Sequence, residues 1–300
     1  MLDGLLIVID RWPSYYAHRE RIGVPGTKAM VHFMNNWDRR LPDGNKSGSR
    51  TNLLLATLPQ ADWAIVSSRL EPVHLQDDQV LHESGCPVTV AYFPTTAILS
   101  LRQPLDDGPS AEVASVGREG MVGLPIVTGG EMMTTRVLVQ ASGTAYRMRC
   151  IDLQFAVEHC EVLPQLLLRY LETLLHLISQ VAVCNRHHAL HAHVCCWVLL
   201  NFDRVQSNRL LLTQQKIADA IGVRREGVMT ALRQLHDDQV IRRSRGCIDL
   251  IDRSGLEKQS CECYRVLREG LRLEAQHLEL REVAAQIDGE LGTNLQRGAN

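Results

Sequence analysis

Three hundred residues with 45% hydrophobic and 22% charged side chains make an ordinary folded chain of about two domains, not a disordered one. The net charge of −2 excludes a chain-wide basic character. Polyanion attraction is local, however, and residues 201–253 hold ten Lys or Arg against seven Asp or Glu, about +3, while the rest is acidic. Nine cysteines (86, 150, 160, 184, 195, 196, 247, 261 and 263) are odd in number and contain no Cys-x-x-Cys pair. Free thiols in a reducing cytoplasm are therefore expected, and Cys261-x-Cys263 is tighter than the common zinc spacings.

The chain opens on DGLLIVID, too short and without the basic flank of a signal peptide; no run approaches the roughly 18 apolar residues of a membrane span, so no membrane partner is expected. Residues 1–50 are poorly specified, and 43–49 (DGNKSGS) have the composition of a linker. A helical stretch follows at 52–70, with Asp62 placed to cap its second half after Pro59. From 71 to 149 the texture changes to short β-rich runs: EPVHL (71–75), QVLHE (79–83), VTVAYF (88–93), AILSLR (97–102), AEVASV (111–116), RVLVQ (136–140) and TAYRMR (144–149). Strands of this length between turn signals predict a jelly-roll-like β-roll, with Asp106-Asp107-Gly108 as one hairpin turn.

A short helix at 151–160 leads to the longest helical pattern, Pro164 to Arg186. Leu167, Tyr170, Leu174, Leu177, Val181 and Cys184 alternate by three and four, as in a coiled-coil seam. A second stripe, Leu168, Leu171, Leu175, Ile178 and Ala182, lies beside it. Two apolar stripes predict a homodimer helix, with the first stripe, Leu167 to Val181, as the interface; a helix buried on several sides in one subunit is the alternative. Another helix is expected at 187–202.

Residues 212–235, LTQQKIADAIGVRREGVMTALRQL, place Gly222-Val223 between two apolar-periodic runs. Glycine ends a helix well because it tolerates the left-handed conformation, and Val223, Val228, Leu232 and Leu235 then restart the pattern. VIRRSRGCIDLID (240–252) follows as a basic hairpin, so the whole is a winged helix-turn-helix. In such a motif the first turn of the second helix meets base edges and the flanking elements meet phosphates. Arg224, Arg225 and Glu226 open that helix; Thr213 and Gln215 open the first one; Arg242, Arg243 and Arg245 lie on the wing. The alternative is a structural corner whose arginines are only solvated.

TQQKIADAIGVRREGVMTALRQLHDDQVIRRSRGCIDLIDRSGLEKQSCECY resembles the DNA-binding domain of the CRP/FNR superfamily of bacterial transcription regulators. The similarity continues upstream in NLLLATLP, LEPVHLQDDQVLHESG, VAYFPTTAILSL, VGREGMVGLP and AVCNRHH, covering about 51–265. It implies an α+β chain with these parts: a cyclic-nucleotide-binding-like sensor domain over 51–160, a dimerisation helix over 161–186 and a winged helix-turn-helix over 187–265. By its own pattern and charge, 266–300 is expected to be a peripheral charged helical tail. The resemblance implies double-stranded palindromic DNA, a second copy of the chain and RNA polymerase as partners, with Arg225, Glu226 and Thr230 on the base-reading positions. Thr230 stands where many members carry arginine.

The family's cyclic-nucleotide pocket uses a Gly-Glu pair and a downstream Arg-Ser/Thr. Here Met121 stands where the glutamate would be, and Thr135-Arg136 reverses the order. A thioether is a weak acceptor and cannot hold a ribose hydroxyl as a carboxylate does. Arg136 and Thr135 remain the candidate effector contacts, but a cyclic-nucleotide response is not expected, and the effector is not specified. The family's iron–sulfur branch needs N-terminal cysteines, and residues 1–85 contain none. No cofactor or metal is expected, and the chain is not expected to be an enzyme: His74, His82 and His159 lack the spacing of a cupin metal site, and no nucleophile elbow or Walker loop occurs. Two alternatives stay open. One is a metal- or redox-sensing regulator using 187–196, where His187, His191 and Cys195 recur every four residues, with His188 and Cys196 in the adjacent row. The other is an interaction protein that no longer reads DNA.

Overall fold

The computed structural model describes residues 51–105, 108–205 and 207–269. Residues 1–50 with their linker, Asp106 and Asp107 of the expected turn, and the tail from 270 lie outside the described residues.

Two short helices come first, α1 (Leu53–Ala56) and α2 (Gln60–Ser67), where the sequence suggested one stretch. Pro59 separates them. Asn52 starts α1, its side chain accepting from Leu55 N while its amide donates to Pro94 O and Gly120 O, which ties the helix to the roll. Asp62 does not cap α2. It is buried, and its carboxylate accepts from the backbone N–H of Glu161, Val162 and Leu163 at 2.8–3.2 Å, a hundred residues downstream.

The roll consists of β1 (Glu71–Leu75), β2 (Val80–His82), β3 (Val90–Pro94), β4 (Ile98–Leu105), β5 (Gly108–Val116), β6 (Arg136–Ala141) and β7 (Gly143–Arg149), with a one-turn helix α3 (Pro125–Thr128) before β6. All seven expected runs are strands. They form two antiparallel sheets, β1-β7-β3 and β2-β6-β4-β5, and Leu105 pairs with Gly108 across the expected hairpin. Inward side chains such as Leu75, Phe93, Leu99, Val137, Val139 and Met148 fill the core. Alternation along β6 places Val137 and Val139 inside, which is why a period of two was visible in the sequence.

Helix α4 (Cys150–His159) leaves the roll and α5 (Leu163–His187) follows, its first N–H groups held by Asp62. The two apolar stripes of α5 differ in burial. Leu167, Tyr170, Leu174 and Leu177, the expected dimer seam, are 0–8% exposed and packed within this chain, and Val181 is partly buried against the same core. Tyr170 donates its hydroxyl to Met121 O at 2.9 Å, and its ring lies so close to Gly120 that a Cβ there would sit 2.3 Å from the hydroxyl. Glycine is required at that contact. In the second stripe Leu168 and Leu175 are each 57% exposed and Ala182 is exposed, while Leu171 and Ile178 are partly buried against the core. Leu167, Tyr170, Leu174 and Leu177 therefore do not offer the expected face, because a side chain already buried in its own subunit cannot form one for a second subunit. Helix α5 is also long and apolar enough to cross a membrane by length and composition, with a mean hydropathy of 1.3 in its most apolar window. Counting unbroken apolar runs misses this, because Arg169, Glu172, His176 and Gln180 interrupt the pattern.

Helix α5 ends at His187, because His188 (φ −104°, ψ 146°) is extended, and α6 (Leu190–Arg204) starts two residues later. The C-terminal part contains β8 (Arg209–Leu210), α7 (Gln214–Ile221), α8 (Arg225–Asp237), β9 (Ile241–Ser244), β10 (Cys247–Leu250), α9 (Arg253–Gln259) and a helical stretch at 262–269. Cys263, Tyr264 and Leu267 are buried, so the described start of the expected tail, 266–269, packs on the core through Leu267; the rest of that tail lies outside the described residues.

Candidate nucleic-acid interface

The corner between α7 and α8 is built by local rules. Thr213 caps α7, accepting from Lys216 N at 3.2 Å. Gly222 ends it at φ 75°, and the N–H groups of Gly222 and Val223 both return to Ala218 O. Ile217, Ala218 and Ile221 of α7 then meet Val228, Leu232 and Leu235 of α8 in a closed apolar core. This fixes which face of α8 is outward: Arg225, Glu226, Thr230 and Arg233 are all exposed. Arg224 precedes the helix, exposed and without a side-chain cap bond. Thr230 bonds back to Glu226 O at 2.9 Å and can offer its methyl or rotate its hydroxyl outward.

The wing is the hairpin β9–β10, turning at Gly246 (φ 71°), with Ile248 opposite Arg243 and Asp249 opposite Arg242. Period two puts Ile241, Ile248 and Leu250 inside and leaves Arg242 and Arg245 exposed. Arg243 is half-buried and donates to Met229 O at 3.3 Å, which braces the wing against α8. Between wing and corner lies a cleft of about 370 Å³, lined among others by Thr213, Gln215, Arg225, Arg243 and Arg245. Five of the nine expected DNA-contact residues thus converge on one concavity. Arg224, Glu226, Thr230 and Arg242 lie outside its lining. Arg233 was missed; it lies seven residues after Glu226, on the same helix face, and the helical period alone would have found it.

This head is docked on the roll. Lys216 of α7 pairs with Asp77 and, at 3.0 Å, with Asp78 in the turn after β1. Helix α6 joins through buried polar groups. Arg204 donates to Glu119 Oε1 at 2.7 Å and to Ser115 O at 2.8 Å, and Asn201 accepts from Gln140 at 2.7 Å. Glu112 of β5 accepts from Ser100 at 2.5 Å and from Trp197 Nε1 at 3.0 Å. Burial pushes the Glu112 carboxyl up, and the two hydrogen bonds and the field of Arg102 and Arg204 only partly offset it.

In the roll, the candidate effector contacts are not gathered around a vacant anion site. Arg136 pairs with Glu83 at 3.1 Å, and Thr135 sits half-buried just before β6. Met121 is fully buried, and the nearest carboxylate in its stretch, Glu119, is engaged by Arg204. The expected four-residue rows of histidine and cysteine are cut by the break at His188. His187 ends α5, while His191 on α6 bonds Gln259 Oε1 at 2.8 Å and Cys195 is fully buried. A different set meets instead: Cys184, His188, Cys261 and Cys263. Hydrogen bonds from Cys184 and Cys196 hold the Cys261 thiol below the ordinary thiol range, and contact with Cys184 and Cys261 raises that of Cys196.

Residues 194–259 match the model of the Crp-like helix-turn-helix domain. The structure of FixK2 from Bradyrhizobium japonicum aligns with a TM-score of 0.56 at 17% identity, over 64% of this chain and 98% of that one. A CRP/FNR-family transcriptional regulator from Thermus thermophilus gives 0.52 at 20% identity, over 63% and 98%. A regulator of the same family from Eubacterium rectale gives 0.52 at 16%, over 69% and 96%. At these identities the likeness is one of fold. No curated protein matches the chain.

Proposed function

We propose that this chain, a CRP/FNR-type regulator by its Crp-like helix-turn-helix domain and its fold, acts as a homodimer that reads a palindromic DNA site and controls transcription. The observation that carries the reading is the cationic cleft between α7, α8 and the wing. Unrelated surface arginines have no reason to converge there with a helix N-cap and a free recognition face. Arg225 is suited to a bidentate contact with guanine, Glu226 to the amino group of cytosine, and Arg233 and the wing arginines to phosphates. Self-association would use the outward stripe of α5. Leu168, Leu171, Leu175, Ile178 and Ala182 follow a spacing of three and four, and none is fully covered by its own subunit. That uncovered stripe also favours a partner helix over a bilayer, because the opposite side of α5 is built into the roll and the charged Arg169 and Glu172 lie on the same helix.

The reading further holds that no cyclic nucleotide is the effector: in the described stretch 117–123, Met121 stands where a ribose would need a carboxylate and Glu119 is engaged by Arg204, while Arg136 lies in an ion pair with Glu83. Titration of a mixed duplex pool at several salt concentrations tests DNA binding itself. Affinity should fall steeply with salt, and Arg242→Ala with Arg245→Ala should make the slope shallower by roughly 0.9 for each phosphate that the variant no longer neutralises. An unchanged slope refutes the placement of the wing.

A further inference from the structure

The end of α5 and the chain after α9 bring together four metal-ligating side chains. Cys184 lies in the last turn of α5 and His188 is the residue that ends it; Cys261 and Cys263 lie 77 and 75 positions further on, at the start of the 262–269 helical stretch. Three sulfurs and one imidazole nitrogen all fall within 4.8 Å of one another. Cys184 Sγ is 3.5 Å from Cys261 Sγ, and Cys263 Sγ is 3.3 Å from His188 Nδ1. A tetrahedral zinc with Zn–S near 2.3 Å and Zn–N near 2.0–2.1 Å has S···S edges of roughly 3.8 Å and S···N edges of roughly 3.6 Å. The two short edges of the cluster are within about 0.3 Å of that polyhedron.

The surroundings fit ligation as well. His188 turns its other nitrogen, Nε2, to Glu262 Oε1 at 3.2 Å, the carboxylate–histidine pairing that fixes the tautomer of a metal-bound imidazole. Gln180 Nε2 donates to Cys263 Sγ at 3.0 Å, a contact that suits a thiolate acceptor. The three cysteines are buried, whereas His188 and Glu262 open toward solvent and leave an entry path.

We propose that Cys184, His188, Cys261 and Cys263 form a Cys₃His site for a thiophilic divalent cation of the zinc type. Binding forms three metal–sulfur bonds and one metal–nitrogen bond, and the three thiol protons leave to solvent, so the three thiolates overbalance the ion by one charge. The site staples the end of α5 to the segment that follows the winged helix, across the helix break at 188–189. Its regulatory consequence rests on the function proposed above: fixing that break fixes the angle at which α5 presents the reading head, which makes the cation the chemical class of effector.

The test of the site itself uses the full chain without DNA, so that it stands apart from the regulator reading; only the regulatory role is read with a duplex. Metal analysis of protein purified without chelator should give one equivalent of zinc per chain. Cobalt(II) added to the metal-free protein should produce the intense ligand-field bands of tetrahedral cobalt and a thiolate-to-cobalt charge-transfer band. Cys261→Ser and Cys263→Ser should abolish the charge-transfer band at one equivalent, and Glu262→Gln should weaken cobalt binding roughly 10–100-fold. Cys86→Ser, at an exposed thiol elsewhere, should leave both unchanged. Wild-type protein that stays colourless with cobalt, or that holds a Cys184–Cys261 disulfide and no metal after reducing purification, overturns the site. Stoichiometric metal whose removal leaves duplex affinity unaltered overturns its regulatory role.

Discussion

Replacing Leu168 and Leu175 together by alanine separates the two stripes of α5. Each leucine is 57% exposed in one subunit, so a partner helix would bury about half of a leucine side chain. Full burial of a leucine contributes roughly 1.5–3 kcal/mol, so each side chain adds about 0.9–1.7 kcal/mol and the four in a dimer about 3.5–7 kcal/mol. Alanine keeps one methyl, so the lower end applies, and at 1.4 kcal/mol per tenfold the dimer constant should weaken by at least about a hundredfold. Sedimentation equilibrium over a concentration series measures it. At concentrations low enough that both proteins are monomeric the unfolding midpoint should scarcely move, because both leucines are mostly exposed in their own subunit. Leu167→Ala should behave in the opposite way: it opens a cavity in the subunit core, costs about 2–5 kcal/mol of stability and leaves association of the folded chain unchanged. A double variant that dimerises like the wild type refutes the assignment of the outward stripe.

Three further outcomes follow from the same geometry. Asp62→Ala removes the acceptor for three N–H groups at the start of α5 and should cost about 2–4 kcal/mol, read as a lower urea midpoint; an unchanged midpoint would mean that water replaces the carboxylate. Glu112 has its folded-state pKa raised by burial, so the folded chain binds that proton more tightly than the unfolded one. Its stabilising contribution is full below the unfolded carboxylate pKa and is lost as pH rises through the folded value, so Glu112→Gln should gain stability relative to the wild type as pH is raised from about 5 to 8; a constant difference between the two melting curves contradicts this. Arg225→Ala should relax base preference at one position in each half-site by roughly 1–3 kcal/mol, whereas Arg245→Ala should weaken all duplexes about equally, and a binding-site selection with each variant distinguishes the two.

The strands, the helix-turn-helix and the wing were legible because local rules decide them. Alternation marks β6, Gly222 can take the left-handed conformation that ends α7, and the interval from Val228 to Leu235 repeats the helix period. Three features were not legible, each because a distant partner decides it. Both stripes of α5 are apolar, and only the position of Tyr170 against Gly120 and Met121 shows which one faces the roll. Asp62 looked like a cap for its own helix because the N–H groups it serves lie a hundred residues later. The histidine and cysteine rows were read along one continuous helix, but the chain turns extended at His188 with no glycine or proline to announce it, and Cys261 and Cys263 arrive from beyond the wing. Arg233 is different: its spacing of seven from Glu226 is visible in the sequence and alone puts it on the face of Glu226 and Thr230.

The central claim is that two copies of the α8 face and its flanking cleft read a two-fold-related pair of base sequences. Selection of bound duplexes from a random pool with the purified full-length chain measures this directly. Enrichment of an inverted repeat whose halves are centred about one helical turn apart is the predicted result. Recovery of unrelated sequences at the same affinity as the starting pool would contradict it.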